Sequence, residues 1–164
     1  MALFTRLRID PDLATLIGRS AVLAVGTTAD GQVVATTDSL WYATGDGWRH
    51  QPWHQITHGG WDRNELRLRW HDQERVEHSL HLTETGRVPE VFNERVTESI
   101  VVQRVVDLIG PGAAVITARR DLGNPDAALD WRLEPTTGTS LDAVQSDRRV
   151  ASELARLRSE YDVR

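Results

Sequence analysis

The chain has 164 residues, 40% hydrophobic and 26% charged, a balance that fits one globular domain and excludes the disordered class. It has no cysteine and no lysine, its nineteen basic residues all being arginine; disulfides, thiolate metal sites, Schiff-base chemistry and the P-loop lysine are therefore excluded. The formal charge of -5 speaks against a nucleic-acid binder, which carries a basic footprint.

Residues 1–7, MALFTRL, with Arg6 and Arg8 breaking any apolar core, do not read as a signal peptide. No run approaches 18 apolar residues, so no transmembrane helix is expected, and a cytoplasmic location is the default expectation. Asp10 before Pro11 and Gly18 after Ile17 frame a short helix. Strands follow at residues 21–28 and 32–36 around the turn Ala29-Asp30-Gly31, then at 39–43, closed by Gly45-Asp46-Gly47. Residues 48–50 and 53–57 read as one strand interrupted at Pro52, and Gly59-Gly60 as the next turn. In ELRLRW, 65–70, alternation points Leu66, Leu68 and Trp70 inward; VEHSLHL, 76–82, alternates likewise. Seven short strands separated by turns predict an antiparallel barrel or sandwich.

The period then changes. Val88, Phe92, Val96 and Ile100 recur at helical spacing behind Pro89, predicting an amphipathic helix over 88–103. AVITA (114–118) and LDWRL (129–133) read as a hairpin, and a final helix starts at Thr139 or Ser140. AVITA carries no charge; as an edge strand it would need cover from the last helix or from a second copy of the chain.

The strings VVATTDSLWY (33–42), PWHQITHGGWD (52–62) and ERVTESIVVQR (94–104) resemble a family of small actinobacterial pleckstrin-homology-like (PH-like) proteins of unknown function. The resemblance covers residues 21–104 and, more loosely, the tail. It implies an α+β fold: a PH-like seven-stranded antiparallel barrel capped by a helix, followed by a ββα tail. On this reading 1–164 is a single domain, with a PH-like core at 21–104 and a ββα extension at 113–162 packed on it. The resemblance brings no activity with it. Phosphoinositide binding is not expected, because no basic residue lies between Arg19 and Arg49 and the first hairpin tip carries Asp30.

His50, His54 and His58 are four residues apart, about 13 Å in an extended chain, too far to share one ion. A metal or hydrolytic site could be assembled only from separate strands, with Asp62 or Asp72 as oxygen ligand, or with Ser79 beside His78 and His81. The arginines 63, 67, 69 and 75 are interleaved with acids and read as a solvated face. No nucleophile elbow, P-loop or dinucleotide motif is present, and neither cofactor nor metal is expected. Trp48, Arg49, His50, Trp53 and His54, around the Pro52 kink, have the Trp and Arg composition of interface hot spots. The sequence thus points to a non-catalytic module that binds a protein partner or itself through these five residues. A small enzyme using the histidines and a binder of a small anion or lipid headgroup are the alternatives.

Overall fold

In a computed structural model, which describes residues 8–162, the chain is α+β, with three antiparallel sheets. The reading of residues 1–7 lies outside the described part. Two compact units divide between Ser99 and Ile100.

The first unit opens with helix α1 (Pro11–Ile17), framed as expected: Asp10 accepts from the amide of Asp12, and Gly18 follows at φ 66°. Four strands form a meander, β1 (Val22–Thr28), β2 (Gly31–Thr36), β3 (Ser39–Thr44) and β4 (Gly47–Pro52), in the order β1-β2-β3-β4. One face of this sheet packs under α1, where Leu13 and Ile17 meet Val34 with Trp41 and Trp48 alongside. The expected strand at 53–57 does not form. Trp53–Gln55 is a 3-10 turn instead, because Pro52 has no amide to continue the ladder and the Trp53 ring turns into the core. A second sheet follows, β5 (His58–Asp62), β6 (Arg67–His71) and β7 (Glu77–His81). Gly59-Gly60 therefore lies within a strand and is not a turn. Leu66, expected inward, sits exposed in the β5–β6 turn at φ 52°; Leu68 and Trp70 point inward as expected.

The seven strands are thus parted between two sheets, and no closed barrel forms among the described residues. An isolated bridge, Thr27 to Glu84, joins β1 to the segment after β7. Gly26 permits it, since a Cβ there would lie 2.6 Å from the Glu84 carbonyl oxygen. Helix α2 (Val88–Ser99) packs on β1, β2, β5 and the 3-10 turn, burying Val88, Val91 and Phe92. The Phe92 ring meets Trp53 edge-on, with centroids 5.7 Å apart, and Trp70 at 6.1 Å. Arg95 fixes the helix by donating Nε and Nη2 to the Thr37 carbonyl at 3.0 and 2.7 Å.

The second unit is a three-stranded sheet in the order β10-β9-β8, from β8 (Ile100–Asp107), β9 (Ala113–Arg119) and β10 (Asp130–Pro135). The helix expected over 88–103 stops at Ser99: the β-branched run IVVQRVVD continues as a strand, where its stiff side chains fit a pleated surface. AVITA consequently occupies a central strand, hydrogen-bonded on both sides, and is not an edge. The final helical segment is two helices. Ser140 caps α3 (Leu141–Ser146) by accepting from the Ala143 amide, and Asp147 breaks the run and caps α4 (Arg148–Tyr161). Leu157 of α4 closes a core with Val102, Ile116 and Ala118; Val144 and Val150 close another with Leu108 and Ala114.

Candidate functional site

Strand β4 is the outer strand of the first sheet, paired only with β3 in the ladder. Its alternation separates the residues expected to act together. Trp48 and His50 pair with Ala43 and Trp41 and share their face, whereas Arg49 pairs with Tyr42 and lies on the other. On the first face the His50 imidazole stacks on Trp41 at 4.6 Å and 20°, with His50 exposed and both tryptophans half-buried. The Trp41–His50 stack thus lies beside an open strand edge, with Trp48 two residues along the same strand.

Trp53 does not belong to that group. Expected at the surface, it is fully buried, and its Nε1 donates to the Thr36 carbonyl at 2.9 Å. It packs on Phe92, so its role is structural. His54 follows it in the 3-10 turn and is only partly exposed. Of the five residues, Trp48 and His50 share one face, Trp48 half-buried against the α1 cluster and His50 exposed; Arg49 is exposed on the opposite face, and Trp53 is excluded from surface contact.

On the inner face the structure assembles a polar cluster that the sequence reading missed. The Trp70 ring lies between Tyr42, edge-on at 5.8 Å, and His78, stacked at 5.2 Å and 15°. Its Nε1 donates to Gln51 Oε1 at 3.3 Å. His78 Nε2 donates to Asp72 Oδ2 at 2.7 Å, while Asp72 Oδ1 accepts from the amides of Glu74 and Val76. The His78 hydrogen bond, aided by the two amides, holds the Asp72 carboxyl below the usual carboxylate range despite an opposing desolvation effect. Burial pushes the Tyr42 phenol up; the Arg49 charge opposes this and the Asp72 charge adds to it. The signal that could have revealed the cluster is register: a hairpin turning at residues 72–76 sets Trp70 opposite His78.

The chemistry of this cluster is that of a fastener. Both Asp72 oxygens are engaged in closing the β6–β7 hairpin, and no hydroxyl reaches His78 among the described residues. Ser79, the candidate nucleophile, accepts from Arg67 Nη1 at 3.1 Å. His58 and His71 face each other across β5 and β6 with centroids 6.3 Å apart. Among the described residues, no three His, Asp or Glu side chains converge to hold a metal ion, and no helix is long and apolar enough to cross a membrane.

Comparison with known proteins adds no relative: no family model, no curated protein and no solved structure matches the chain.

Proposed function

We propose that the chain is a non-catalytic, PH-like interaction module of the cytoplasm that docks a protein partner, or a second copy of itself, along strand β4. The observation that carries this reading is the coincidence of an open strand edge with the half-buried Trp48 and the Trp41–His50 stack on the same strand pair. An unpaired edge offers backbone donors and acceptors to an added strand, and adjacent side chains supply selectivity. Tryptophan and arginine are the residue types that dominate binding energy at such surfaces. The PH-like part of the proposal is supported by the order of the elements, a four-strand and a three-strand meander followed by a packed helix, together with the three strings at 33–42, 52–62 and 94–104. No activity follows from a fold alone.

The test is quantitative capture from the native cell, paired with light scattering on the purified chain. Wild-type bait, Trp48→Ala and His50→Glu are compared, with Arg156→Glu, on the exposed face of α4, as a control. A polypeptide, or a doubled mass, that is present with wild type and the control and lost with both β4 variants supports the reading. Retention by all four baits, or a monomer without any β4-dependent partner, rejects it.

A further inference from the structure

The second unit contains a cavity of about 630 Å³ at the end of the sheet, lined by the loop that joins β9 to β10 and by the last turn of α4. This volume falls in the range of small-molecule sites. Its floor is anchored: Leu129 and Tyr161 pack against the buried cluster of Val102, Ile116, Ala118 and Leu157. Pro125 and Ala127 add apolar wall.

Two guanidinium groups, of Arg120 and Arg158, line this space. Arg158 engages Asp162 Oδ2 through Nε alone, at 3.1 Å, which leaves both terminal nitrogens for another acceptor. Asp162 is itself fully used, because Oδ1 accepts from Trp131 Nε1 at 2.9 Å. It thus serves to hold the Arg158 side chain over the cavity. Arg120 has no ion-pair partner among the described residues, although the Asp126 carboxylate lines the same cavity. The two guanidinium groups are matched in number by the Asp126 and Asp162 carboxylates of the lining, but Asp162 is already engaged by Trp131 and by Arg158 Nε, so the donors of Arg120 and the terminal nitrogens of Arg158 stand beside an apolar floor.

We propose that this cavity binds a small organic anion, its carboxylate or phosphate head on Arg120 and Arg158 and its apolar body against Leu129 and Tyr161. A guanidinium fork suits either head group, being planar and permanently charged. The site lies wholly within the second unit and owes nothing to the surface on β4.

The experiment titrates benzoate, phenyl phosphate and inorganic phosphate into the isotope-labelled full chain and follows backbone amide shifts. Benzoate or phenyl phosphate should move amides at 120–129 and 158–162 in a saturable way, and whichever saturates first identifies the head group. Arg120→Gln should weaken that binding by about tenfold or more, the loss expected for one charge-assisted hydrogen bond. Ala127→Glu, which puts a carboxylate into the cavity without removing an arginine, should abolish it while the other amides keep their positions. Absence of saturable shifts, shifts outside these segments, or equal binding by Arg120→Gln overturns the proposal. Inorganic phosphate binding as tightly as phenyl phosphate overturns the role of the apolar floor.

Discussion

Replacing Phe92 by alanine tests how the first unit is held together. The side chain is 2% exposed and is the one ring of α2 that reaches both Trp53 and Trp70. Emptying such a site costs about 3–5 kcal/mol, of which an edge-on aromatic contact supplies about 0.5–1.5 kcal/mol. In a chain of this length that loss lowers the melting temperature by roughly 6–20 °C. Tryptophan fluorescence is the appropriate readout in a urea titration, because every tryptophan except Trp131 lies in this unit. Gly59 supplies the internal control: a Cβ there would approach Phe92 Cζ to 2.8 Å. Gly59→Ala should therefore cost about 1–3 kcal/mol by overpacking in the wild-type chain. In the Phe92→Ala background the obstructing ring is gone and the cost should largely vanish, a coupling of about 1 kcal/mol or more. A loss below about 1 kcal/mol for Phe92→Ala, or an equal cost of Gly59→Ala in both backgrounds, would refute this account of the packing.

Asp72→Asn should destabilise the first unit by about 1–3 kcal/mol at neutral pH, since it removes a charged acceptor from the β6–β7 turn. The Asp72 carboxyl is depressed in the folded chain, so its contribution is present above the unfolded value near about pH 4 and is lost as pH falls through the folded value; urea titrations of both proteins should therefore converge in acid. Ile116→Arg buries a charge in a central strand and should unfold the second unit by more than about 4 kcal/mol, giving lost near-ultraviolet circular dichroism and not separated subunits. Asp147→Ala removes the acceptor for both the Val150 and the Ile109 amides, and should reduce helical circular dichroism and increase amide exchange in the first turn of α4.

Where a local rule decided the structure, the sequence was readable. Asp10, Pro11 and Gly18 mark α1 by capping chemistry alone, and the Ala29–Gly31 and Gly45–Gly47 turns place the four strands of two hairpins. The failures occur where a neighbour distant in sequence overrides the local signal. Gly59 looks like a turn but lies in β5, because the Phe92 ring from α2 fills the space a side chain would need. Helix α2 passes into β8 with no glycine or proline anywhere from residue 90 to residue 109, so the helical period appeared to run on. The candidate surface was half legible for the same reason. Strand alternation sets Trp48 with His50, but the burial of Trp53 depends on Phe92 and on the Thr36 carbonyl, neither of which is near it in sequence. Asp72 and His78 meet only once the hairpin register is known.

The strand order of all three sheets has a kinetic consequence. Every ladder joins strands that are successive along the chain, so no strand waits for a partner from a remote part of the sequence. Loop closure is then a small entropic cost at each step, and such chains fold faster than sandwiches whose strands cross between sheets. The first meander can assemble as soon as Pro52 has left the ribosome, and the others follow in order of synthesis. Within the first unit the bridge from Thr27 to Glu84 is a late event by this reasoning, since its two residues are the most widely separated of the strand pairings there. The beginning of the first meander is locked only when the last strand of the second has been made.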